Sequence, residues 1–215
     1  MGKVVWNQPG ERRYETGVDR GVLYTNSDGA VAWNGLTSVE ISYEGTERKR
    51  YVQDGVTMFG DQTPAEVKAT VQAYTYPPEF EPYVGNASND HFMVDAQTVH
   101  ETFGFSYRSL IGSDESETLH YKIHVLYNLS ASPLDYTHTT IGDSIDLTDF
   151  GWEFSGVPVS LPGIRPSVHF WFDTSRMEVS TIDHVEAILY GTQSVDARLP
   201  TAQELLDIQT TPAAT

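Results

Sequence analysis

His120 and His124 stand four residues apart, a spacing that on a helix would set two imidazoles on one face, as zinc-binding helices do. The residues around them alternate instead. Leu119, Tyr121, Ile123, Val125, Tyr127 and Leu129 recur at every second position, the period of a strand. On a strand the two rings lie roughly 13 Å apart at ~3.3 Å per residue, too far to share one ion, so a solvated or interfacial polar face is the simpler reading. Asp143, Asp146 and Asp149, with Glu153 beyond, offer carboxylates for calcium or for the acid pair of a glycoside hydrolase. The glycine and spaced acids of an EF-hand loop are missing, which favours an acidic edge or surface. Tyr74, Tyr76, Trp152 and Trp171 would suit a sugar platform, but aromatics are equally at home in a core or a subunit interface, and that reading is preferred.

Other chemistries drop out by residue type. With no Cys there is no thiolate nucleophile, disulfide framework or Cys-ligated zinc. Neither a Gly-x-Ser-x-Gly elbow, a P-loop nor a GxGxxG turn occurs. Arg48-Lys49-Arg50 is the one basic triplet, and Glu44 and Glu47 beside it blunt a phosphate-binding role. The sequons Asn86-Ala87-Ser88 and Asn128-Leu129-Ser130 match a pattern that often arises by chance. The expectation is therefore a non-enzyme with no catalytic residue, cofactor or metal.

Charge narrows the partners. Asp and Glu number 30 against 13 Lys and Arg, a formal charge of −17, whereas duplex DNA binding draws on Lys and Arg that displace counterions from phosphates. Anionic membranes are disfavoured likewise, and no apolar run approaches the ~20 residues that span a bilayer. Met1 to Trp6 has no signal-like apolar stretch. Aromatic residues reach 12% while charged residues are only 20%, a mixture that favours strands over long helices or disorder. Gly and Pro are scattered rather than pooled into a linker, so a single domain is expected over 1–209, with a flexible tail over 210–215.

The elements that must position these residues follow from period and turn chemistry. Gly21 to Thr25 and Ala30 to Trp33 flank Asn26-Ser27-Asp28-Gly29, a hairpin signal. Ser38 to Tyr43 alternates as a half-buried strand, and Glu44 to Val56 reads as a long, exposed, charged hairpin. Val67 to Tyr76 alternates until Pro77-Pro78 stops it, and Pro82 to Asp90 reads as loop. Phe103 to Ile111, Leu119 to Leu129, Ile145 to Phe154 and Ser167 to Asp173 bring the count to about eight strands. A helix is expected from an N-cap at Ser180 or Thr181 to Gly191, with Ile182, Val185, Ile188 and Leu189 on one stripe. Thr201 and Glu204 match the capping-box spacing for a second short helix that frays after Gln209.

Several strings, in order, resemble the major tail tube proteins of long non-contractile-tailed (siphovirus-type) bacteriophages, particularly those infecting actinobacteria. They are Gly17-Val18-Asp19-Arg20-Gly21-Val22-Leu23-Tyr24, Val31-Ala32-Trp33-Asn34-Gly35-Leu36, Ala73-Tyr74-Thr75-Tyr76-Pro77 and Phe103-Gly104-Phe105-Ser106-Tyr107-Arg108. Tyr121-Lys122-Ile123-His124, Ala187-Ile188-Leu189-Tyr190-Gly191-Thr192 and Ala197-Arg198-Leu199-Pro200 continue the series, which reaches from 17 to about 205. The resemblance implies a mainly β fold, a β-sandwich or barrel with a flanking C-terminal α-helix, an extended hairpin and terminal arms. It implies hexameric rings stacked into a virion tail tube, assembled in the host cytoplasm. Partners would be further copies of the chain, a tape measure protein and a tail terminator, with DNA only a passing cargo and no membrane contact. Carried onto this chain, Glu47, Arg48, Lys49, Arg50 and Tyr51 become candidates for ring-to-ring contact, and Trp6, Leu205 and Leu206 for terminal anchors. An acidic wall would repel a polyanion over a Debye length of ~8 Å, which suits a conduit. The rival reading is a carbohydrate-binding β-sandwich or a glycoside hydrolase.

Overall fold

Glu66–Ala73 shows most directly how this sequence becomes sheet: Val67, Ala69, Val71 and Ala73 are buried on one side, and the strand ends before Pro77 and Pro78, which cannot donate to a ladder. The computed structural model describes residues 4–26, 29–45, 48–53, 56–62, 66–89, 92–95, 101–114, 120–140 and 146–210. Among these lie β1 (Arg13–Tyr24), β2 (Ala30–Trp33), β3 (Leu36–Glu44), β4 (Arg48–Gln53), β5 (Val56–Gln62) and β6 (Glu66–Ala73). After them come β7 (Asn86–Asn89), β8 (Phe92–Asp95), β9 (Phe103–Ser113), β10 (His120–Pro133) and β11 (Phe150–Gly156). The last strands are β12 (Val159–Leu161), β13 (Ile164–Ser167) and β14 (His169–Asp173), followed by helices α1 (Val179–Tyr190) and α2 (Ala202–Thr210).

One antiparallel sheet dominates, in the order β2-β1-β9-β10-β11-β6-β3, with β14 branching from β10. The sheet curls so that its two end strands nearly meet. Trp33 and Leu36, at the facing ends of β2 and β3, are joined by Asn34-Gly35; the Trp33 indole N–H donates to the Thr75 carbonyl at 2.9 Å, and Tyr74 N–H donates to the Gly35 carbonyl at 2.9 Å. Gly21 lets this closure happen, because a Cβ there would stand 2.5 Å from Leu36 Cδ1 and 2.9 Å from the Trp33 carbonyl. Inside the curl, Trp33 packs against Phe80 at 4.6 Å, Trp152 at 5.3 Å and Phe105 at 5.6 Å between centroids, with Phe103 and Phe154 completing the aromatic core.

The convex side carries the helices. Val22, Ile123, Val125, Tyr127 and Phe172 form a second core with Val185 and Leu189 of α1 and Leu205 and Ile208 of α2. Arg108 on β9 forks onto Asp19 of β1 at 2.9 and 2.8 Å, lies 4.3 Å over the Tyr121 ring and stands 3.6 Å from Glu186 of α1. Burial works against the guanidinium charge, and the Asp19 carboxylate outweighs it, so its pKa is raised.

The mainly β fold with C-terminal helices matches expectation, and several boundaries move. Fourteen strands are described rather than about eight. Pro82 to Asp90 is not simple loop: a 3-10 helix over Pro78–Val84 buries Phe80 and Tyr83, and β7 follows. β11 begins at Phe150 rather than Ile145, which lies outside the described residues. The N-cap of α1 is Glu178, without a side-chain bond, so Ser180 and Thr181 fall inside the helix; Gly191 caps its end at φ +75 as expected. The box at α2 forms as expected, with Thr201 N–H donating to Glu204 Oε2 at 2.8 Å and Glu204 N–H to Thr201 Oγ1 at 3.3 Å.

Candidate functional site

Register across four strands assembles a polar surface that no single stretch of sequence displays. Glu40, Thr70, Glu153 and Ser132 stand opposite one another across β3, β6, β11 and β10, and Ser42, Lys68, Ser155 and Ser130 form a parallel row. Ser38 and Gln72 begin a third row, joined by a Ser38 Oγ to Gln72 Oε1 bond of 2.9 Å. The reverse side of the same strands is the aromatic core, because Ile41, Ala69, Phe154 and Ala131 alternate with the polar residues. Lys68 lies 3.3 Å from Glu44 and 3.5 Å from Glu153, and hydrogen bonding to Glu44, then the Glu153 charge, raises its pKa. The wall is thus small, polar and acidic, and both helices pack elsewhere.

At the margin of this wall the sheet keeps an edge. β3 pairs only with β6, so its other side carries no ladder among the described residues. The β3–β6 pairing ends at Glu44 opposite Glu66, and β4 with β5 continues as a two-stranded ribbon from Arg48 opposite Gln62. The expected charged hairpin is therefore present and longer, its second strand reaching Gln62 rather than Val56. Arg48, Lys49, Arg50 and Tyr51 lie on β4, while Glu47 lies outside the described residues.

The remaining sequence candidates scatter. His120 and His124 lie on a strand, as their period requires, and His124 meets His169 rather than His120. Among the described residues no group of three or more His, Asp or Glu is placed to hold a metal ion. Asp143 lies outside the described residues, Asp149 accepts from Thr37 Oγ1 at 3.3 Å, and Glu153 belongs to the polar wall. Trp152 is core at 4% exposure, whereas Trp171 and Tyr74 are exposed, so the four aromatics form no common platform. Asn86 of the first sequon donates to Glu81, and Asn128 of the second sits at a bulge. Trp6 is 73% exposed beside exposed Val4 and Val5, while Leu205 is covered within its own chain and Leu206 is half-buried. No helix among the described residues is long and apolar enough to cross a membrane.

Fold and surface together define a curled antiparallel β protein with helices packed over part of its outer face and a polar wall on another part that, among the described residues, the helices leave uncovered. The chain matches no family model and no curated protein. Among solved structures it is similar to a chain of the PVC sheath-tube complex of an extracellular contractile injection system in its extended state, with TM-score 0.37 and 15% identity over 72% of this chain and 88% of that chain. It is also similar to a chain of the PVC sheath/tube terminator, with TM-score 0.34 and 12% identity over 79% of this chain and 99% of that one. A third likeness is to a chain of the anti-feeding prophage baseplate, with TM-score 0.35 and 9% identity over 80% of this chain and 97% of that one.

Proposed function

We propose that this chain is a structural subunit of a bacteriophage tail tube, without catalytic residues, whose copies form stacked rings, six to a ring as the tail tube resemblance implies. The polar wall lines the channel through which DNA leaves the particle. The observation that carries this reading is the wall itself: four adjoining strands present Ser, Thr, Gln and Glu with Lys68 the one base in the rows, beside a sheet edge that has no ladder among the described residues. An edge strand in that condition is completed by a strand of another copy, and a head-to-tail contact of this kind closes into a ring when the rotation allows.

In this reading the β4–β5 ribbon reaches the adjacent ring through Arg48, Lys49, Arg50 and Tyr51, with Glu47 next to them in sequence, and the exposed Val4-Val5-Trp6 segment is a terminal anchor. A tape measure protein fills the channel during assembly, a terminator closes the tube, and the host cytoplasm is where it forms. Sedimentation across a rising concentration series tests the proposal. Ring-sized species and longer polymers are expected, with reversal of Arg48, Lys49 and Arg50 to Glu removing the polymers and sparing the rings. A chain that sediments as a monomer throughout contradicts it.

A further inference from the structure

The concave face of the sheet changes character at one layer. Phe105 and Leu126 are core, and one step further along the same strands come Tyr107 and His124, with Ser109 and Lys122 beyond. The Tyr107 ring stacks on His124 at 4.5 Å and 3°, and His124 continues to His169 at 5.2 Å and 15°. Hydrogen bonds follow the same path. Ser109 Oγ lies 2.9 Å from His124 Nε2, His124 Nδ1 lies 3.0 Å from His169 Nε2, and His169 Nδ1 lies 3.4 Å from the Tyr43 hydroxyl.

Four strands are tied by this chain of contacts: β9, β10, β14 and β3. No ladder joins β14 to β3, so His169 and Tyr43 bridge across the curl rather than along it. Tyr43 is the last residue but one of β3, and β4 of the ribbon begins five residues later, at Arg48.

Proton counting shows why such a bridge depends on pH. A neutral imidazole has one N–H and one bare nitrogen, so two neutral rings pass one proton across their shared contact and leave one nitrogen each for Ser109 and Tyr43. One added proton still allows the shared contact. Two added protons set N–H against N–H, and no acceptor remains between the rings. The charged groups facing the pair do not relieve this. Lys122, a cation that disfavours a second one, stands next on the same face of β10 and pairs with Glu15 of β1, and Asp173, opposite Lys122 in register, accepts from Ser175 at 3.0 Å.

We propose that Ser109, His124, His169 and Tyr43 form an acid-released latch that holds the end of β3, and with it the root of the β4–β5 ribbon, against β14. Burial, then the partner ring, then Lys122 push His124 down to about 3, and burial alone pushes His169 down to about 4, both from 6.5. A released imidazole binds protons that the latched one refuses, so the latch is full above about pH 6.5 and weakens as the pH falls. Its opening constant rises by up to about tenfold per imidazole per pH unit until the latched values are reached. The consequence for ring contact rests on the tube reading; the latch itself does not.

Hydrogen exchange on the dilute, unassembled chain tests it, with intrinsic rates corrected for pH. Between pH 7.5 and 5, residues 41–45 and 169–173 are expected to lose about tenfold or more in protection, while Val67–Ala73 keeps its own. His124→Gln and His169→Gln are expected to flatten that profile, and His138→Gln, an exposed control, to leave it unchanged. Should either buried variant fail to fold, Tyr43→Phe cuts only the last link and is expected to lower protection of residues 41–45 at pH 7.5 toward the acid level. Equal protection at pH 7.5 and 5, or an unchanged profile in the glutamine variants, overturns the latch.

Discussion

Leu126 and Leu129 line the same aromatic core although they stand three residues apart on one strand, a separation that regular alternation would send to opposite faces. Asn128 makes the difference by taking φ +49. There β10 exchanges β14 for β11 as its neighbour, and the register against β9 shifts between Leu126 and Leu129. Ile123, Val125 and Tyr127 thus face the helices, while Leu126, Leu129 and Ala131 face the interior of the curl.

The bulge predicts a residue-specific cost. Asn128→Gly should leave urea unfolding almost unchanged, because glycine accepts this backbone freely. Asn128→Val should destabilise by about 1–2 kcal/mol, since a β-branched residue is strained there. Equal midpoints for the two variants would show that the bulge does not depend on this residue.

The α2 cap predicts a separate acid transition. Hydrogen bonding to Arg198, then to the Thr201 amide, lowers Glu204 from 4.5 to about 2. The folded value is depressed, so this contribution is present above about pH 4.5 and lost as the pH falls through about 2. Glu204→Gln should therefore flatten the pH dependence of α2 exchange protection below pH 4.5 and leave the region above it unchanged. Thr201→Ala should cost about 0.5–2 kcal/mol in denaturant unfolding by removing the reciprocal cap.

The polar wall predicts how the protein treats DNA. Replacing both Glu40 and Glu153 by Lys should give the assembled protein salt-dependent retention of duplex DNA, with the logarithmic slope growing by ~0.9 for each phosphate newly neutralised. The same substitutions on β3 and β11 should leave the fold intact, because both side chains stand on the polar side of the sheet. Unaltered retention in the double variant would remove these two residues from the path of the DNA.

Local order was readable where one period governs one segment. Val67 to Ala73 showed its buried face directly, and the Thr201 and Glu204 spacing marked a helix start that the fold uses. Leu119 to Leu129 read as one continuous face, which the positive φ of Asn128 divides, because a bulge leaves no mark on an alternating pattern. The Pro78–Val84 turn carries no such local mark because its signal is tertiary: Phe80 packs into the core against Trp33 and Trp152. The polar wall and the latch depend on register between strands far apart in sequence. Glu40 meets Glu153 through β6, and His169 meets Tyr43 across 126 residues, relations that no window of sequence contains.

Cryo-electron microscopy of the concentrated protein tests the central claim most directly, since it reports both assembly and the direction in which the wall faces. The account predicts stacked rings with Glu40, Thr70, Glu153 and Ser132 turned toward the channel and the α1 and α2 side turned outward. Dispersed monomers at every concentration, seeded or unseeded with tube fragments, or a tube with the helices lining its channel, would contradict it.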